Sequence, residues 1–445
     1  MKTHSFKGGI HPLEYKGLTQ NNPIERINPP SKTVCIPIPQ GGAPISPIVA
    51  VGDIVAKGQK IASGDSYMSV PVHASVSGIV KKIENHLVTG NLEVPCIFIQ
   101  SDDSDKVEYM NALDPFLCSK EDAIERIREA GIVGMGGAGF PTHVKFNPPA
   151  GKKINYVLAN ASECEPYLTI DERTIAEMPS KFIDGIAISM KITGASQGII
   201  VLENNKEHLI PVLQQAILSY SHGSAISICL CKTKYPQGSE KTITMAAIGK
   251  EIPAGGLPAD IGCVISNVGT LCAISDAFRE GKPLIERGLT ISGGACVTPK
   301  NICVPIGTII GDLIPSFVTL NDNVAKIISG GPMMGFAMTN ANFPVTKNTS
   351  GVLFLTKKET ILVDESPCIG CGRCVDVCPC RLTPVMMVRE LQAENYDEAK
   401  YYGLMDCIEC VCCSFVCPSN IRLVQRFRIG KAFIRNEAKK NAEKK

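Results

Sequence analysis

Residues 368–379 read CIGCGRCVDVCP, and residues 407–418 read CIECVCCSFVCP. Each is a Cys-x2-Cys-x2-Cys-x3-Cys-Pro run, and the second repeats the first at a spacing of 39 residues. Two residues between successive thiolates let three ligands wrap one face of a cubane, while the fourth, set off by the longer step and the proline, reaches the other cluster. The spacing therefore predicts one [4Fe-4S] cluster on Cys368, Cys371, Cys374 and Cys417, and a second on Cys407, Cys410, Cys413 and Cys378. Paired CxxC motifs also suit tetrahedral zinc, but eight ligands at duplicated spacing favour the clusters. Cys380 and Cys412 fall off the register, and Val411 stands where such motifs often carry glycine. A helical segment over 384–402 separates the two runs, giving an α-helical dicluster ferredoxin-like domain over 351–430.

Half of the 20 cysteines lie between 368 and 417, which in a reducing compartment means metal ligation rather than disulfides. Scattered ones such as Cys229, Cys231 and Cys272 read as small buried hydrophobes. The 445 residues leave room for about three domains, and 44% hydrophobic with 20% charged content describes a chain that can bury its cores. A net charge of +2 argues against a nucleic-acid partner held by charge. The basic charge gathers at 421–445, where nine Lys/Arg and two Glu give +7 and leave the rest about −5. The last part, 431–445, reads as a basic tail packing on the cluster domain or meeting anionic lipid or an acidic subunit. The longest uncharged stretch, 33–52, carries Pro37, Pro39, Pro44 and Pro47, so no membrane helix is expected. No signal-peptide apolar region follows Met1. The seven histidines show no metal-like spacing.

Upstream of the clusters the pattern changes twice. Residues 33–100 alternate short Val/Ile runs with Gly, Pro and Asp turns, an all-β signature. VGDIVAKGQKIA (51–62) and VPVHASVSGIVKKI (70–83) resemble the two halves of a barrel-sandwich hybrid, the fold of lipoyl and biotinyl carriers. No lysine occurs in 64–72, so a packing or docking module is expected rather than a swinging arm. This unit takes 1–115 with the N-terminal extension. From Ser119, which opens a helix as a capping residue, helical stretches alternate with β-branched runs, and 116–280 reads as an α/β domain. A small β-rich module over 281–350 follows it. The whole is a multidomain α+β protein.

Gly134-Met135-Gly136-Gly137-Ala138-Gly139 matches GxGxxG, yet a helix precedes it and Pro141 follows, which does not suit a Rossmann turn. The bare backbone can still approach a phosphate or planar ring, with Lys145 as counter-charge. GIVGMGGAGFPTHVKF (131–146) resembles the flavin loop of the NADH-binding, FMN-carrying subunit of respiratory complex I. It is followed in order by NASECEP (160–166), GSEKT (238–242) and SNVGT (266–270). With the opening FKGGIHPLE (6–14), the β module and the twin cysteine runs, residues 1–430 resemble the C subunit family of Rnf complexes, the membrane-bound ferredoxin:NAD oxidoreductases.

That resemblance implies FMN and NAD(H) beside the two clusters. Gly134, Gly136, Gly137 and Gly139 would line the flavin and nucleotide pocket, and Lys145 would meet the FMN phosphate. Asn160, Ser162 and Glu163 would sit near the isoalloxazine, with Gly238 and Ser239 on the following loop. Glu165 and Glu240 would position the nicotinamide nucleotide as the catalytic pair, and Phe140 would stack on the nicotinamide side. Ser266, Asn267 and Thr270 would hold the ribityl phosphate end. Ser239 replaces an acidic residue of the complex I relative, and 254–258 (AGGLP) lacks its adenine-clamping Lys and Phe. The 281–350 module resembles the soluble-ligand-binding β-grasp domain of the same family.

The resemblance also implies a peripheral subunit on the cytoplasmic face of the membrane. It would exchange electrons with membrane and Fe–S partner subunits, and indirectly with ferredoxin, coupled to ion translocation. A soluble flavin/Fe–S reductase like the cobalamin reductase of microcompartments, or a relay scaffold without flavin, are the alternatives.

Overall fold

The computed structural model describes every residue except Met1, Asp105, Ala150, Ile361, Leu362, Lys444 and Lys445; the last two of the nine tail cations therefore lie outside the described residues. In the first unit, alternating Val34 and Ile36 on Thr33–Pro37 face Val80 on Gly78–Val88 and Ile97 and Ile99 on Leu92–Ser101. These strands, with Ile54–Val55 at one edge, form a four-stranded sheet. It closes over a three-stranded sheet of Ser46–Pro47, Lys60–Ser63 and Val72–His73, whose Ile61 and Val72 complete the core.

The second unit is a parallel sheet in the spatial order Ile226–Cys231, Gln197–Glu203, Tyr156–Ala161, Cys263–Asn267. Its strands are near-continuous apolar runs because helices cover both faces. Helices Pro179–Thr193 and Val268–Arg279 pack with Lys120–Glu129 on one side; Glu240–Ile248 covers the other. Ser119 does cap its helix, its hydroxyl accepting from the Asp122 N–H at 3.0 Å. The chain runs outward through three strands and then returns to the far side of the first. The strand order therefore reverses between Tyr156–Ala161 and Cys263–Asn267, the crevice where open α/β sheets bind ligands.

The third unit draws on distant sequence. Its six-stranded sheet runs Ile24–Arg26, Lys300–Pro305, Glu286–Ser292, Gly351–Thr356, Val324–Ser329, Phe336–Met338. One edge strand thus comes from the N-terminal extension, and an inner one from just past residue 350.

The cluster domain is a backbone repeat. Short helices Arg373–Asp376 and Cys412–Phe415, and longer ones starting at Pro384 and Leu423, recur at the 39-residue spacing. So do the left-handed residues: Gly370 with Glu409, Gly372 with Val411, and Arg381 with Asn420. The segment expected to be helical over 384–402 is two helices, Pro384–Gln392 and Tyr396–Tyr401, because Glu394 turns the chain at φ 57°. The final helix, Leu423–Glu443, continues without a break through residue 430, so its buried start (Leu423, Val424, Phe427) and its basic end share one rod.

Candidate functional site

Asn160 and Asn267 stand opposite each other across the switch point of the parallel sheet, and most nucleotide-site candidates gather around them. The Asn160 side-chain amide donates to the Gly238 carbonyl at 2.8 Å, fixing the loop that starts helix Glu240–Ile248. The Asn267 side chain caps helix Val268–Arg279, accepting from the Gly269 N–H at 2.9 Å. Thr270, one turn in, accepts from the Met135 N–H at 2.9 Å and so pins the glycine loop to that helix start. The fit is close: a Cβ at Gly136 would stand 3.1 Å from Cβ of Asn267, whereas one at Gly137 would meet nothing within 4 Å. Gly136, Gly137 and Ala138 are exposed, leaving their backbone open.

Lys145 enters from the other side. Its ammonium donates to the Ile265 carbonyl at 2.9 Å and lies 3.9 Å from where a Gly134 Cβ would be. Burial lowers its pKa below that of an ordinary lysine, partly opposed by the Glu240 carboxylate. Glu240 is itself exposed, and Ser239 caps its helix through the backbone alone. Phe140 is 43% exposed at the end of the glycine loop, where its carbonyl accepts from the Gly134 N–H at 2.9 Å. Gly139, at φ 65°, turns there, with Gly41 of the β module packed against it.

Two predicted carboxylates are turned to other partners. Glu163 accepts from the Asp171 N–H at 2.7 Å and the Glu172 N–H at 3.3 Å, capping helix Ile170–Glu177. Glu165 accepts from the Met333 and Met334 N–H groups at 3.0 and 2.9 Å, holding a loop of the third unit. Burial pushes Glu165 up to about 7 against the pull of those two donors. The backbone around them, residues 162–168, is gripped by two buried lysines. Lys16 donates to the carbonyls of Glu163, Glu165 and Leu168, and Lys206 to that of Ser162.

Four further residues escaped the sequence reading. Asp171 accepts from the Asn267 side chain at 2.6 Å; burial, then the Glu163 charge, push its carboxyl up. Arg287 on Glu286–Ser292 donates to the Met135 carbonyl at 3.0 Å beneath the glycine loop, and burial lowers its pKa to about 10. A lone arginine in an apolar strand was the available signal. Tyr235 and Gln237, on the loop leading to Gly238, are buried with hydroxyl and amide unpartnered, as are the hydroxyls of Ser162 and Ser266. Orphaned polar atoms at a sheet's switch point, beside open backbone and a partly desolvated ammonium, fit a polar ring system with a phosphate such as FMN.

The second cysteine set fits its cluster equally well. Cys378, Cys407, Cys410 and Cys413 line one cavity, walled by Leu382, Met387, Val424 and Phe427. Burial raises the Cys413 thiol, and so do its neighbours Cys410, Cys407 and the sequence-distant Cys378. Backbone N–H groups of Leu382 and Glu409 point at the sulfurs of Cys378 and Cys407, at 3.3 and 3.4 Å. In the first set Cys368 and Cys371 are exposed, Cys374 and Cys417 half-buried. Ser419 ties the two ends together: its hydroxyl donates to the Pro367 carbonyl and its carbonyl accepts from the Ser366 N–H, both at 2.9 Å, joining the backbone after Cys417 to that before Cys368. Cys380 and Cys412 line the cavity too, but Cys412 Sγ is turned to the Tyr235 carbonyl, 3.9 Å away.

Comparisons with known proteins agree with this layout. Family models match in chain order: the RnfC barrel sandwich hybrid domain over 4–104, the Nuo51 FMN-binding domain over 127–276, and the 4Fe-4S dicluster domain over 360–418. The C subunit of the proton-translocating ferredoxin:NAD(+) oxidoreductase complex of Clostridium ljungdahlii is 45% identical over 408 residues, 90% of this chain and 88% of that one. Its counterpart in the Na(+)-translocating ferredoxin:NAD(+) oxidoreductase complex of Acetobacterium woodii is 39% identical over 97% of both. Among solved structures, an H2-reduced NAD+-reducing [NiFe]-hydrogenase shares the fold at TM-score 0.50 and 18% identity, over 71% of this chain and 60% of that one. No helix among the described residues is long and apolar enough to cross a membrane. With its FMN-binding domain, its 4Fe-4S dicluster domain and relatives matched along nearly their full length, this chain belongs to the C subunit family of the ion-translocating ferredoxin:NAD(+) oxidoreductase complexes.

Proposed function

We propose that this subunit exchanges electrons between a nicotinamide nucleotide and the partner subunits of its complex, peripherally on the cytoplasmic face of the membrane. The bound flavin would supply the conversion between a two-electron hydride and single electrons, and the clusters would carry those singly. The observation that carries the reading is that one chain packs the cysteine set 378/407/410/413 against the flavin domain. Tyr235, beside Gly238, shares an apolar cluster with Cys410, Cys412 and Cys164. The exposed set holding Cys368 and Cys371 is the side open to a partner.

The residues divide by place. Lys145 would neutralise the FMN phosphate; Gly134, Gly136, Gly137 and Gly139 would let the cofactor approach the backbone. Ser266, Asn267 and Thr270 would orient its ribityl end, with Asn160, Ser162 and Gly238 beside the ring. Glu240, exposed at its helix start, and Phe140 would meet the nicotinamide nucleotide. Glu163 and Glu165 would act as positioning residues, the first by capping the neighbouring helix and the second by holding the 333–334 backbone over the site.

Anaerobic titration of the purified chain with NADH tests the reading. Bleaching of the flavin band and then of the broad cluster absorption is expected. Bleaching of the clusters by dithionite, with no response to NADH, would refute it.

A further inference from the structure

The glycines of the opening FKGGIHP motif take no part in the site described above, yet they lie between its two halves. Residues 4–10 run beside the edge strand Ile226–Cys231 as a strap. The His4 N–H donates to the Leu230 carbonyl at 2.8 Å, and the Lys232 N–H donates to the His4 carbonyl at 2.9 Å. Ile10 and Tyr235 then exchange both backbone hydrogen bonds at 2.9 Å. Phe6 is buried under Lys234, whose ammonium sits 4.8 Å from the ring centroid and donates to the Phe6 carbonyl at 3.2 Å.

Between these anchors the strap turns to the cluster domain. The Gly9 N–H donates to the Val377 carbonyl at 2.8 Å, next to the ligand Cys378. Both glycines lie at φ 79°, where side chains are disfavoured, and both are hemmed in by backbone. A Cβ at Gly8 would stand 2.7 Å from the Cys378 carbonyl oxygen, and one at Gly9 would stand 2.7 Å from that of Tyr235. Space and dihedral together demand glycine twice, where the flavin-domain loop and a cluster-bearing loop are joined through a third segment. Lys241 and Gly255 also reach Asp406, beside Cys407, and Cys412 Sγ faces the Tyr235 carbonyl, but of these attachments only the strap bonds to the backbone next to Cys378 among the described residues.

We propose that the strap Phe6–Ile10 is a positioning element for electron transfer. It fixes the spacing between the Tyr235 loop and the Cys378 backbone, so that the buried cysteine set receives electrons at a set distance from the flavin domain. This rests on the functional reading above, and its test bypasses the nucleotide. In the overall exchange NADH yields NAD+, a proton and two electrons, one for each cluster, and the strap alters only how fast those electrons reach the buried set.

The experiment compares the full-length chain with Gly8→Ala and Gly9→Ala under anaerobic conditions. Flavin and iron contents are measured first, then amide exchange at Gly9, Ile10 and Tyr235. Cluster bleaching is then followed after photoreduction of the bound flavin by light and EDTA. Both variants are expected to keep their flavin and iron and to exchange those amides faster. Electron arrival at the clusters should slow severalfold, as electron-transfer rates fall steeply with distance, while NADH still bleaches the flavin at the parental rate. Parental cluster reduction despite loosened amides, in either variant, would overturn the proposal. Matching losses of flavin and iron in both would also overturn it, by showing a folding role alone. Failure of the nucleotide reading would appear separately, as a parent whose flavin passes photochemical electrons to the clusters but ignores NADH.

Discussion

Replacing Lys145 by alanine should empty the flavin site without touching the clusters. Among the described residues its ammonium has one protein hydrogen bond, to the Ile265 carbonyl at 2.9 Å, and no carboxylate pairs with it. Its remaining N–H groups are therefore available to an anion. A hydrogen bond to a charged group contributes about 1.5–3 kcal/mol, so FMN affinity should fall by roughly ten- to 150-fold. Because burial already lowers this lysine's pKa, the parent's FMN affinity should weaken with rising pH before an ordinary lysine would titrate. That alkaline loss should vanish in Lys145→Ala and move upward in Lys145→Arg. The assay is fluorescence titration of deflavinated protein with FMN across a pH series, with iron determined on each sample. The clusters draw on cysteines at 368 and beyond, so iron should stay at the parental level. FMN affinity within twofold of the parent, or iron lost in step with flavin, would refute the assignment of the phosphate to Lys145.

Exchanging Cys378 for serine should deplete the cluster of Cys407, Cys410 and Cys413 while leaving the signal of the exposed set, as electron paramagnetic resonance would show; Cys412→Ser should keep the full iron content. Gly372→Val should destabilise the cluster domain by about 1–2 kcal/mol, the cost of a left-handed side chain, since its φ is 75° and nothing crowds it. Val411→Gly, at the equivalent φ of 69°, should leave the melting temperature unchanged or higher. Glu165 sits above its ordinary value, at about 7, so between about pH 4.5 and 7 the folded chain holds a proton that the unfolded chain releases. Its contribution to stability must therefore fall as pH rises through that window, and Glu165→Gln should flatten the corresponding slope of melting temperature against pH.

What could be read from the sequence was local. Cysteine spacing and the proline after each fourth cysteine point to two crossed clusters, and a 4Fe-4S dicluster domain matches that region. The glycine loop was also visible as a motif, although its support was not. Asp171 and Arg287 act on that loop from a helix start and from a strand of another unit, and neither carries a spacing signature. The partners of Glu163 and Glu165 were hidden for a related reason. Their position in NASECEP says they are near the site, but which way a carboxylate points depends on the N–H groups of Asp171 and Met333, which only the fold brings within reach. Val411 stood out as a missing glycine, and the backbone accepts the left-handed turn there with a β-branched residue.

The sheet that begins with Ile24–Arg26 imposes an order on synthesis. The strand's partner, Lys300–Pro305, lies far along the chain; Asn22, for example, bonds to Pro299 across 277 residues. At roughly 5–20 residues per second, that gap keeps the strand unpaired on the ribosome for about 15–55 s. The α/β unit between them has its own core and can close first. An unpaired strand is an aggregation template unless it is short or charged, and this one is both: three residues, two of them Glu25 and Arg26. Those same charges later find Lys300 at 2.8 Å and Glu286 at 3.0 Å. The pair thus protects the nascent chain first and sets its docking register afterwards.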